Sequence, residues 1–177
     1  MFISINSNDL NLLEFLEENI SNLTPSTLLK ETNTRSLHLD FKSSDNDIKI
    51  SSPNQEIITI SKPFHFTQII NKINIFQQNY SVNIGSIYYF PFIASLNFDS
   101  HKTLLSETQN KILSRLVCFK EGIEKKILYE SIWPRDKDIS DNKLDTHLTN
   151  LRNHIFEFSK QKLNFKTLKG SIKLDIN

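Results

Sequence analysis

Asp141-Asn142-Lys143-Leu144-Asp145-Thr146-His147-Leu148-Thr149-Asn150-Leu151-Arg152-Asn153-His154-Ile155 is the stretch on which the reading of this chain turns. At about 100° per residue, Leu144, Leu148, Leu151 and Ile155 fall on one narrow stripe. The opposite face carries Asn142, Thr146, Thr149, Asn150 and Asn153, all short, neutral and able to hydrogen-bond. Lys143, Arg152 and His154 flank it. An ordinary surface helix more often mixes Glu and Lys there. Small donors and acceptors edged by cations suit a helix in a DNA major groove, with amides toward base edges and cations toward phosphates. Taken alone, the pattern also fits an ordinary amphipathic helix.

The neighbouring segments narrow the choice. Downstream, Leu163–Leu168 and Ile172–Ile176 flank Lys169-Gly170-Ser171 and read as a β-hairpin with a basic tip. Upstream, 134–140 is a polar loop, and 125–133 is a helix with Ile127, Leu128, Ile132 and Trp133 as core positions. Ser106 and Gln109 form a capping box that opens a further helix, with Ile112, Leu113, Leu116 and Val117 inward. Between Val82 and Phe98, short apolar runs (Phe92-Ile93 among them) predict antiparallel strands, with Pro91 at an edge or turn. Three helices, a polar break before the third and a basic hairpin after it predict a winged helix-turn-helix over 82–177.

The first 80 residues read differently. Phe2-Ile3-Ser4-Ile5 is a strand, and Asp9 caps a helix with Leu12, Leu13, Leu16 and Ile20 on one face. Residues 21–36 carry little structural signal. Leu37–Phe41 and Ile48–Ile50 are strands around a turn, and Glu56–Ile60 reads as a strand buried on both faces. A helix over Phe66–Gln77 follows Lys62-Pro63. This succession predicts a small α/β domain with a mostly parallel sheet, so the fold class expected for the whole chain is α+β.

Several of these segments carry a resemblance. Leu105-Ser106-Glu107-Thr108-Gln109 matches an L-[ST]-x-x-E/Q helix opening, and Ile132-Trp133 a helix ending in tryptophan. Leu144–Arg152 matches V-D-x-H-[IL]-x-x-L-R, and Lys166-Thr167-Leu168-Lys169-Gly170 a basic, Thr, basic, Gly wing. In this order and spacing, residues 82–177 resemble the DNA-binding domain of OmpR/PhoB-type response regulators. The chain departs from that pattern at Asn142, Asn150, Asn153 and His154, where the family often has Arg or Lys. It departs again at Ile172, where an aromatic usually follows the wing glycine.

Residues 1–80 resemble a degenerate, truncated receiver, with Ile60-Ser61-Lys62-Pro63-Phe64 at the family's lysine-proline junction. A working receiver holds Mg²⁺ with acids at the end of its first strand, where this chain has Asn6 and Ser7. Asp40 is the best candidate phosphoacceptor, but without that acid pair phosphoryl transfer to it would lose its charge neutralisation. The missing acids lead us to expect regulation independent of phosphorylation, and the resemblance implies a homodimer formed through the first domain and RNA polymerase as a further partner.

The DNA-binding residues expected are Asn142, Thr146 and Asn150 toward bases, with Thr149 and Asn153 close behind. Lys143, Arg152 and His154 are expected on phosphates, and Lys166, Thr167, Lys169 and Lys173 on the wing. Asn pairs well with adenine, which predicts A·T-rich sites. Two alternatives stay open: a phosphorylation switch using Asp40, and a protein-interaction module that has lost DNA binding.

Charge distribution agrees with a polyanion partner. The net charge of +1 combines six Lys+Arg against ten Asp+Glu in 1–100 with fifteen against ten in 101–177. The start of the chain does not read as a secretion signal, no apolar run approaches a membrane span, and Cys118 is the only cysteine. A cytoplasmic protein without membrane association is expected. His38, His65, His101, His147 and His154 form no HxxxH pair, and His154 with Glu157 makes only half a metal site. No nucleophile elbow, P-loop or dinucleotide fingerprint occurs, so neither enzyme activity nor a cofactor or metal is expected.

Overall fold

The computed structural model describes residues 2–23, 35–136 and 141–175, with the backbone but not the side chains of 20–23 and 141. The chain is a mixed α+β protein that divides into two compact units, Met1–Tyr80 and Ser81–Asn177.

In the first unit, alternating apolar residues produce β1 (Phe2–Ser7), β2 (Ser36–Ser43), β3 (Asp47–Ser51) and β4 (Ile58–Ser61). Leu37, Leu39 and Phe41 are buried while His38 and Lys42 face solvent, as a period of two requires. Helix α1 (Leu10–Leu23) begins where the Asp9 carboxylate accepts from the Leu12 amide at 3.1 Å. Helix α2 (Phe66–Asn79) buries Ile69, Ile73 and Phe76 and meets α1 where the Phe15 and Phe66 rings pack edge to face, centroids 4.8 Å apart.

Two expectations fail here. The sheet runs β1-β2-β3-β4, but only β1 and β2 are parallel. Three residues join β2 to β3 and six join β3 to β4, too few for the crossover that parallel neighbours need. Nor is β4 buried on both faces: it is an edge strand, with Ile60 inside and Thr59 out.

The second unit begins with an antiparallel meander of β5 (Val82–Ile84), β6 (Ile87–Phe90), β7 (Ser95–Phe98) and β8 (His101–Leu104). Phe92-Ile93, expected in a strand, lies in a 3₁₀ turn over Pro91–Ile93, where proline has no amide hydrogen to offer a ladder. Helix α3 (Glu107–Cys118) opens with the expected capping box: Ser106 Oγ accepts from the Gln109 amide and Gln109 Oε1 from the Ser106 amide. Tyr89, fully buried, donates to Asn110 Oδ1 at 2.6 Å and ties the meander to α3.

Then come β9 (Ile123–Glu124), α4 (Lys125–Ile132), α5 (Asp141–Ser159), β10 (Asn164–Leu168) and β11 (Ser171–Asp175). Strand β9, which periodicity did not reveal, pairs with β11 to give the sheet order β10-β11-β9. Gly122, at φ +102°, makes that pairing possible, because a Cβ there would stand 3.2 Å from the Ile172 carbonyl oxygen. Among the described residues, no helix is long and apolar enough to cross a membrane.

Candidate nucleic-acid interface

Helix α5 is the element from which a site can be built. Leu144, Leu151 and Ile155 are fully buried and Leu148 nearly so, against α3 and the rest of the second unit's core. At about 1.5–3 kcal/mol for each buried aliphatic side chain, this stripe fixes the helix's rotation. The opposite face is thereby turned to solvent, and Asn142, Thr146, Thr149, Asn150 and Asn153 lie along it. All five are exposed.

These five side chains are not equivalent. Thr146 and Thr149 donate their hydroxyls back to the carbonyls of Asn142 and Asp145, at 2.7 and 2.9 Å. Each threonine therefore presents an acceptor lone pair and a methyl group. The amides of Asn142, Asn150 and Asn153 have no side-chain partner among the described residues and can both donate and accept. Asn142, Thr146, Thr149 and Asn150 share a shallow concavity with Asp145, a residue missing from the expected set. Its place on this face was legible from helical phase, three residues after Asn142. Lys125 Nζ, on α4, holds the Asp145 carboxylate at 3.0 and 3.2 Å, which offsets the charge that would repel a polyanion.

The flanking cations need correction. Lys143 does not stand free for a phosphate: its ammonium donates to Asp136 Oδ2 at 2.7 Å and lies 4.4 Å above the Trp133 ring. His154 faces the body of the unit rather than the flank, with its ring nitrogens 3.2 Å from Thr103 Oγ1 and 3.3 Å from Gln109 Oε1. It follows Leu151 by three residues and precedes Ile155, so helical phase places it at the inward edge. Arg152 is exposed but stacks 4.7 Å from the Phe165 ring and donates to the Phe165 carbonyl at 3.4 Å, which joins α5 to β10.

The hairpin carries its cations as expected, but two of them have company. Lys166 and Lys173 sit directly across from one another. Lys166 is paired with Asp175 at 2.5 Å, and Lys173 lies 3.6 Å from Glu121. Lys169, at the turn with φ +48°, has no carboxylate partner among the described residues, and Thr167 is exposed beside it.

Asp136 also accepts from the Tyr129 hydroxyl at 2.8 Å. The Lys143 hydrogen bond first, and the Tyr129 hydroxyl second, hold its carboxyl below the ordinary aspartate range. A depressed folded-state pKa means this contribution is present at neutral pH and is lost only as pH falls through the depressed value. Carboxyl ¹³C titration is expected to show Asp136 protonating below the ordinary aspartate range, and Lys143→Ala to move it back up. An ordinary midpoint in the unaltered protein would mean the contact does not form in solution.

In the first unit, Asp40 Oδ1 accepts from Asn6 Nδ2 at 3.1 Å. Lys62 Nζ donates to Ser43 Oγ and to the Ser44 carbonyl. Among the described residues no group of three or more His, Cys, Asp or Glu side chains could hold a metal ion.

No family model matches the chain, and no curated protein matches it. Solved structures similar to it include the DNA-binding domain of E. coli CadC, at 15% identity and TM-score 0.47, covering 56% of this chain and 95% of that one. Another is the C-terminal domain of the nisin resistance regulator NsrR, a lantibiotic response regulator, at 28% identity and TM-score 0.42, covering 54% and 96%. A third is described as one of a family of redox sensors in the streptococci evolved from two-component response regulators, at 15% identity and TM-score 0.44, covering 99% and 68%.

Proposed function

We propose that the second unit is a winged helix that binds double-stranded DNA sequence-specifically, and that the chain is a cytoplasmic transcription regulator of the response-regulator type. The observation that supports it is the row of solvent-facing amides, Asn142, Asn150 and Asn153, on a helix whose opposite stripe is buried. In this reading α5 enters the major groove, and Asn142, Thr146 and Asn150 meet base edges. Lys169 meets the backbone from the β10–β11 turn, and Arg152 sets the spacing between helix and wing. No catalytic step is assigned.

The test is a mobility-shift competition between A·T-rich and G·C-only duplexes at several salt concentrations. The A·T-rich duplex is expected to win. Lys169→Ala is expected to weaken both duplexes alike and flatten the log–log salt slope by about one unit. Equal competition by the G·C-only duplex would discard the amide readout.

A protein-interaction module is the second reading, favoured by the engagement of Lys143, Arg152 and His154 within the unit itself. It predicts no salt-dependent shift on any duplex. The first unit serves, in the main reading, to pair two copies without phosphorylation. A neutral Asn6 beside Asp40 supports that independence, and Phe15 and Ile75, both about two-fifths exposed, offer a pairing surface. Sedimentation as a monomer with and without DNA would remove the pairing. A phosphoryl mass gain from a small phosphodonor and Mg²⁺ would remove the independence.

A further inference from the structure

We propose that the cleft between the C-terminal half of α5 and strand β10 is a binding site for a small organic anion with a flat apolar body. The cleft is open to solvent and has a volume of about 570 Å³, within the range of sites that take drug-sized ligands. Phe156, Leu163 and Phe165 supply its apolar surface, and Arg152, Lys162 and Lys166 its charge. Among the described residues no acidic residue lines it, and the one carboxylate paired to a lining cation is Asp175 on Lys166. Three cations and one carboxylate leave a net charge of two, with Arg152 over the Phe165 ring.

The two halves of that lining call for the two halves of one ligand. Phe156 is 42% exposed, a large aromatic ring left partly in water. Lys160 Nζ stands a further 5.9 Å from its ring. The Arg152 guanidinium lies over the Phe165 ring, 4.7 Å from its centroid, with one N–H on that residue's carbonyl, and its remaining donors have no partner among the described residues. A planar fork already held in place is suited to bidentate binding of a carboxylate or phosphate. Inorganic phosphate would satisfy the fork but leave the phenyl rings in water. A neutral aromatic would do the reverse.

The site rests on this cleft and stands apart from the DNA reading. Its regulatory consequence does rest on that reading: an occupant holding Arg152 would alter the helix-to-wing spacing and weaken DNA binding, and DNA would weaken the ligand by the same factor.

The test titrates 2-naphthoate into the full chain and follows backbone amide shifts. Saturable shifts are expected at 152–156 and 162–166, with half-saturation at about a millimolar or below. Neutral 2-naphthamide is expected to bind about tenfold more weakly, and inorganic phosphate not to reproduce the shifts. Phe156→Ser, at an exposed position, and Lys162→Gln are each expected to weaken binding about fivefold or more with the rest of the spectrum unchanged. Naphthamide binding as tightly as naphthoate, phosphate giving the same shifts, or the absence of shifts in this cleft would overturn the proposal. A chain that saturates with naphthoate yet binds no duplex keeps the cleft and loses the DNA reading. One that binds duplex but not naphthoate does the opposite.

Discussion

Replacing Leu151 with Ala is expected to lower the unfolding free energy of the second unit by about 2–5 kcal/mol. Leu151 is fully buried, and its inward neighbours along α5, Leu148 and Ile155, are also buried. Truncation leaves a cavity that the helix cannot close without moving the rest of its stripe. Set against a domain stability of about 5–15 kcal/mol, the loss is a large share. Trp133, the chain's only tryptophan, packs against His147 of α5 with ring centres 5.2 Å apart, so its fluorescence reports this unit's transition. The urea midpoint is expected to fall with the slope nearly unchanged. An unmoved midpoint would show that the stripe is not core and that α5 is rotated away from the orientation described.

Asn150→Asp tests the other side of the same helix. The side chain is exposed, so little change in folding is expected, whereas DNA affinity is expected to drop about a hundredfold. Removing a bidentate amide–base pair costs about 1–3 kcal/mol, and the new carboxylate faces phosphates as well. Asp145 is tolerated in this concavity because Lys125 neutralises it, whereas none of the residues lining the concavity could neutralise a second carboxylate placed at position 150. Asn150→Ala takes away the pairing amide without adding charge, so it is expected to relax sequence preference with a smaller loss of affinity. Undiminished binding by the aspartate variant in a mobility shift would mean that this face does not meet DNA.

Much of α5 was readable in advance. The apolar stripe, the outward amides and the Ser106–Gln109 capping box depend on residues three to four apart, and contacts at that range are set by helical geometry alone. The basic hairpin turn was legible for the same reason, since Lys169-Gly170 lies between two alternating runs. The first unit's sheet is not the mostly parallel one expected, because strand direction depends on connection length as well as on the strands themselves.

The chain's own order of residues determined which elements form and which face of each turns inward, because periodicity and capping act over one or two turns. Tertiary structure alone decided which charges remain available. Lys143 is spoken for by Asp136, Asp145 by Lys125, Arg152 by Phe165 and His154 by Thr103, over separations of 7, 20, 13 and 51 residues. Such pairings exist only once α4, α5, β8 and the hairpin have packed, and no local pattern encodes a partner that folding brings from so far along the chain.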